Sequence, residues 1–124
     1  MCPGKAQADG LYICMLSIHG LIRGRDLELG RDADTGGQTK YVVDLARALA
    51  RHPEVDRVDL VTRRIVGGMV SPDYAEIEEP LGAGARLIRI DCGPQEYIAK
   101  EQLWDHLDNF TDNLTEWLNQ QPRY

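Results

Sequence analysis

Basic residues are in short supply. Fourteen Lys and Arg stand against 20 Asp and Glu, leaving a net charge of −6. That balance excludes a partner held by general attraction to a polyanion, so neither nucleic acid nor an anionic membrane surface is expected. A small phosphorylated ligand remains open, because it needs only a local positive pocket. Cysteine is scarce too, at 3 residues, Cys2, Cys14 and Cys92, with no paired spacing. That pattern excludes a disulfide framework or a zinc knuckle. Free thiols suit a reducing cytoplasm. No apolar run approaches the ~20 residues of a membrane span, and Met1–Lys5 carries no signal core, so a cytoplasmic location is expected. No cluster has metal-ligand spacing, and no metal or cofactor is expected. The fingerprint G-x-G-x-x-G does not follow the first apolar run, which weighs against a dinucleotide-binding oxidoreductase. Repeats and low-complexity tracts are lacking as well.

What the chain does have is a glycine pair in a telling place. The stretch Gly30-Arg31-Asp32-Ala33-Asp34-Thr35-Gly36-Gly37-Gln38 lies between an apolar run, Leu11–Ile18, and an amphipathic run, Lys40–Arg51. The order is strand, long polar loop, helix. A helix start leaves backbone N–H groups unsatisfied and carries the positive end of the helix dipole. Gly36 and Gly37 remove the side chains that would hold a ligand away from those groups. Gln38 adds an amide, and Asp34 or Thr35 can cap the helix. The stretch is thus a candidate anion cradle, with a simple capped helix as the plain alternative.

The 124 residues have room for one domain, with residues 1–9 polar and expected to be disordered. Leu11–Ile18 is continuously apolar, as for a parallel strand buried on both faces. In the first helix, Tyr41, Val42, Leu45, Ala46 and Leu49 share a face. Val58–Thr62 reads as a second strand, with Arg63 and Arg64 at its C-terminal end. The Gly- and Pro-rich stretch Val66–Gly84 reads as loop with room for a short strand pair, and Leu87–Ile90 as a third strand. A last helix is expected from Ala99 to Asn119, with Leu103, Trp104, Leu107, Phe110, Leu114, Trp117 and Leu118 as its apolar stripe. The sequons at Asn109 and Asn113 fall inside that helix and are discounted as glycosylation sites.

Alternation of this kind predicts an α/β fold with a parallel, Rossmann-like sheet, strand 2 lying between strands 1 and 3. Ligands bind beyond the carboxyl ends of such strands. His19, the glycine loop, Arg63-Arg64 and the loop after Ile90 all converge on that edge. His19 can donate to a ligand oxygen or simply close its strand. Arg63 and Arg64 can supply positive potential or pair with nearby carboxylates. The alternation stops after a helix, where a crossover normally delivers another strand. A truncated domain is therefore expected, with Leu114, Trp117 and Leu118 incompletely covered and self-association of the chain as a consequence.

Several stretches are recognisable. Ser17–Gly24, Glu28–Val43, Arg57–Arg63 and Ile98–Trp104 closely resemble the start of sucrose-phosphate synthase, and the resemblance spans roughly residues 10–120. Sucrose synthase shares Asp34–Gln38 but is less similar in the arginine-bearing loop. The resemblance implies a retaining glycosyltransferase of the GT-B arrangement, with two Rossmann-like domains. The reaction implied moves glucose from UDP-glucose to fructose 6-phosphate, giving sucrose 6-phosphate and UDP. It makes residues 10–124 part of the first, acceptor-side domain. It puts Gly36, Gly37 and Gln38 at the cleft and gives Lys100 the acceptor phosphate, a fitting task for a compact ammonium. The donor-binding C-terminal domain would be missing, and the isolated chain is expected to be inactive. No catalytic residue is assigned within the segment. A non-catalytic phospho-sugar-binding or regulatory module is the competing reading.

Overall fold

The computed structural model describes residues 10–24, 37–67 and 71–121, with Gly37 and Lys100 described by their backbone alone. The expected disorder of residues 1–9, the cap by Asp34 or Thr35, and Gly36 lie outside the described residues.

Among the described residues, six helices and strands build an α/β/α arrangement. They are β1 (Leu11–Leu16), α1 (Gly37–Ala50), β2 (Val55–Arg63), β3 (Glu78–Gly82), β4 (Ala85–Ile90) and α2 (Leu107–Asn119). The sheet order is β1-β2-β4-β3. β1 and β4 both pair parallel to β2, with Cys14 opposite Asp59 and Asp59 opposite Arg86. The expected order of the three parallel strands therefore holds. The sheet is not wholly parallel, however. β3 runs antiparallel to β4, closing a hairpin within the stretch read as mainly loop. The turn is made by Ala83-Gly84, with Gly84 at φ +80, a conformation open to glycine.

Each sheet face carries its own core. On one side Val43 and Ala46 of α1 meet Val58, Leu60, Ala85 and Leu87. On the other Phe110 and Leu103 meet Val61, Ile88 and Ile90. The residues of β2 and β4 alternate between the two, as the period of two dictates. β1 departs from expectation. It is half-buried rather than enclosed, with Leu11 and Leu16 exposed. It stands at the edge of the sheet and has β2 as its one partner strand among the described residues.

Two helix expectations need correction. In α1 the buried row is Thr39, Val43 and Ala46, spaced i, i+4, i+7, while Tyr41 turns outward. The buried face is the one that α1 packs on Val58, Leu60, Ala85 and Leu87. The last helix is not continuous: a 3-10 helix, Lys100–His106, precedes α2. At three residues per turn, Leu103 and His106 lie in one row. Leu103 is buried, and Trp104 points away at 71% exposure. Leu114 and Trp117 are half-buried against the second core, so Trp104 is the more exposed aromatic.

Residues 21–24, which lead towards the glycine stretch, are tied to the sheet. Leu21 and Ile22 are buried. Arg47 donates to Gly24 O at 2.5 Å and Leu81 O at 2.8 Å, and Gly24 N–H donates to Glu79 at 2.7 Å. Buried Arg89 donates to Ile22 O at 2.9 Å and Glu79 at 2.8 Å.

Candidate functional site

The C-terminal ends of β1, β2 and β4 and the start of α1 form one edge of the molecule. β1 ends where Ser17 begins to bend away, its N–H still donating to Val61 O at 2.9 Å. Gln38 Nε2 donates to Ser17 Oγ at 3.1 Å, fixing the first turn of α1 to the end of β1. The backbone at Gly37 thus stands directly beside the strand end, with the first turn of α1 facing the same edge. Gly20, at φ +90, lets the chain reverse after His19.

His19 lines a cavity of about 260 Å³ with Ile18, Leu103, Trp104 and Leu107. Its Nδ1 is buried and makes no hydrogen bond with the described residues. A buried polar atom in that condition normally has a partner or costs stability. Here it sits in a cleft otherwise walled by apolar side chains. The cleft runs from the β1 end to the 3-10 helix that Lys100 opens.

The two arginines ending β2 are engaged differently. Arg63 is 3% exposed, and its Nε donates to Cys92 O at 3.0 Å, while Nη2 donates to Pro94 O and Glu96 O. Burial lowers its pKa from the ordinary guanidinium value. Arg64 donates to Ala75 O at 2.7 Å and pairs with Asp91 at 3.1 Å. Among the described residues no cluster of His, Cys, Asp and Glu is arranged to hold a metal ion. No described helix is long and apolar enough to cross a membrane.

No protein-family model matches the chain. A probable sucrose-phosphate synthase 1 of Citrus unshiu is 51% identical over 117 residues, covering 82% of this chain and 11% of the relative. Sucrose-phosphate synthase 4 of Arabidopsis thaliana is 51% identical over 111 residues, with the same coverage of 82% and 11%. A solved sucrose-phosphate synthase from Thermosynechococcus elongatus superposes with a TM-score of 0.64 at 25% identity, over 88% of this chain and 24% of that one. The chain is a homologue of sucrose-phosphate synthase. It spans about a tenth of the length of the curated relatives it matches. Its parallel-dominated α/β sheet matches part of the GT-B fold of the sucrose-phosphate synthase structure.

The residues singled out from sequence fall into two groups. Gly37, Gln38, His19 and the backbone of Lys100 come to the same edge. Arg63 and Arg64 reach it as well, but their guanidinium groups are spent on the protein's own carbonyls and on Asp91. Sequence reasoning missed two residues that hold this edge together. Asn109 accepts from Gly93 N–H at 2.8 Å, and Asn113 donates to Asp91 O at 2.9 Å. Both are the sequon asparagines. Their spacing of four, one helical turn on a single face, was the available signal.

Proposed function

We propose that this chain is the acceptor-side segment of a sucrose-phosphate synthase. The enzyme is a retaining glycosyltransferase that moves glucose from UDP-glucose to fructose 6-phosphate, yielding sucrose 6-phosphate and UDP. The observation that carries the reading is the roughly 50% identity to sucrose-phosphate synthases across the segment holding the glycine pair and Lys100.

The chemistry of the edge supports it. Fructose 6-phosphate is a dianion near neutral pH. Helix-start N–H groups at Gly37 welcome an anion, and a lysine ammonium adds the charge that separates the phosphorylated sugar from free fructose. Gln38 and His19 offer hydrogen-bonding groups for hydroxyls. Arg63 and Arg64 act through the scaffold rather than on the ligand. The donor-side groups belong to the second GT-B domain, so the 124 residues alone carry out no transfer. The setting is cytoplasmic, and no cofactor beyond the UDP-glucose substrate is required.

The test is steady-state kinetics on a full-length sucrose-phosphate synthase carrying this segment. A charge-assisted contact is worth roughly 1.5–3 kcal/mol, so Lys100→Ala should raise the KM for fructose 6-phosphate about tenfold to a hundredfold, at about 1.4 kcal/mol per tenfold. The KM for UDP-glucose should stay nearly constant. Gly37→Val should instead lower turnover whichever substrate is varied, because a branched side chain fills the ligand's approach to the helix start. An unchanged KM for fructose 6-phosphate in Lys100→Ala refutes the phosphate assignment.

A further inference from the structure

The segment Asp91–Glu96 crosses the C-terminal edge of the sheet between β4 and the 3-10 helix. Segments in that position usually leave their carbonyls to water and move. Here they are occupied almost one by one. Asn113 donates to Asp91 O at 2.9 Å, and Arg63 Nε donates to Cys92 O at 3.0 Å. Arg63 Nη2 donates to both Pro94 O and Glu96 O, and Val66 N–H donates to Gln95 O at 2.8 Å. The Gly93 N–H is taken by Asn109 at 2.8 Å. Beyond the segment, Ile98 packs on the second core. Ala99 N–H donates to Gln102 Oε1 at 3.2 Å, and Gln102 N–H to Ala99 O at 2.9 Å. The backbone is thereby held on both sides of Lys100.

One side chain does most of this. Arg63 ends the central strand β2, is buried, and reaches three carbonyls spread over five residues. Only a planar guanidinium presents several donors in a fixed fork. A lysine at this position has the charge without the fork, and an apolar residue has neither.

We propose that Arg63 is a positioning residue for acceptor binding: it holds Cys92–Glu96 in one conformation and so sets where Lys100 stands. This rests on the assignment of the acceptor phosphate to Lys100. Preorganisation of this sort lowers what binding must spend on ordering a loop. Its loss shows in the Michaelis constant for one substrate rather than in turnover.

The experiment is steady-state kinetics on the full-length enzyme carrying this segment, comparing Arg63→Lys, Asn109→Ala and Lys100→Ala. Arg63→Lys should raise the KM for fructose 6-phosphate about tenfold, with kcat and the KM for UDP-glucose within about twofold, since small misplacements of a binding group carry penalties of this order. Asn109 is exposed, so Asn109→Ala tests the same segment without burying an unpaired group. It should shift the same constant by about threefold, the loss of one ordinary hydrogen bond. If Arg63→Lys does not fold, Asn109→Ala decides. An unchanged fructose 6-phosphate constant in the folded variants, or a fall in kcat alone, overturns the proposal. If Lys100→Ala raises that constant while the other two leave it alone, the positioning role fails and the phosphate assignment survives. If Lys100→Ala has no effect, the assignment fails and the route through Arg63 falls with it.

Discussion

Asp59 is the most demanding residue in the fold. It is fully buried on the central strand, and three strands meet at its carboxylate. Arg86, its direct neighbour on β4, donates twice at 2.8 Å. Tyr12 on β1 donates its hydroxyl at 2.7 Å. Arg86 is itself partly exposed, stacks over Trp117 at 5.7 Å and has Glu78 at 3.5 Å. The two partners are therefore unequal. Arg86→Met leaves a buried carboxylate with one neutral donor, and breaking a buried pair from one side costs about 3–5 kcal/mol. Against a stability of roughly 5–15 kcal/mol for a typical domain, that is a large share. At this chain length it corresponds to a fall in Tm of roughly 10–20 °C. Asp59→Leu costs less, since Arg86 can turn to Glu78 and water. In the double variant Asp59→Leu, Arg86→Met no charge is left unpaired, and it should be more stable than Arg86→Met alone. Urea unfolding of all three variants followed by circular dichroism measures the cycle. An Arg86→Met loss below about 0.5 kcal/mol, the usual range of surface substitutions, refutes the reasoning. A double variant as unstable as the sum of the singles does so too.

Two further outcomes follow from the same contacts. Burial pushes the Cys14 and Cys92 thiols and the Tyr12 phenol above their ordinary values of 9.0 and 10.0. The unfolded chain therefore releases protons first, and stability, intact below about pH 9, declines as pH rises beyond it; urea midpoints at about pH 8 and pH 10 should differ in that direction, and equal midpoints contradict the burial argument. Gly93 sits at φ +64, and a Cβ there would lie 2.5 Å from the His106 ring. Gly93→Ala should destabilise by about 1–3 kcal/mol in thermal melts, and a neutral substitution would show that the Gly93–His106 approach is slack.

The local features of the fold were legible in sequence, and the long-range ones were not. The apolar run at Leu11–Ile18 announces a strand, and the Gly- and Pro-rich stretch a break in regular structure, through chemistry that is local to them. How far β1 is buried depends on its neighbours in the sheet, which the run itself does not specify. Tyr41 was read as part of the apolar face of α1, but the face that meets the sheet is set by packing against β2 and β4 and leaves Tyr41 exposed. The 3-10 stretch at Lys100–His106 escaped because its apolar spacing also suits an α-helix, and the break is set by Gly93 and Cys92 approaching from across the molecule. β3 was obscured by Pro80, a residue tolerated there because the strand lies at an edge. Of the site, the glycine pair, Gln38 and His19 were visible as types that touch ligands. Arg63 was visible as a charge, but its target of three carbonyls some thirty residues on is a product of the folded edge.

The central claim is that this edge receives the phosphorylated acceptor between Lys100 and the start of α1. The most direct measurement is a crystal structure of a full-length sucrose-phosphate synthase carrying this segment, with fructose 6-phosphate bound. The account predicts the phosphate within about 3 Å of Lys100 Nζ, the distance of a charge-assisted hydrogen bond, with Gly36, Gly37 and Gln38 facing the sugar. A phosphate bound away from Lys100, on basic groups outside this segment, would contradict it.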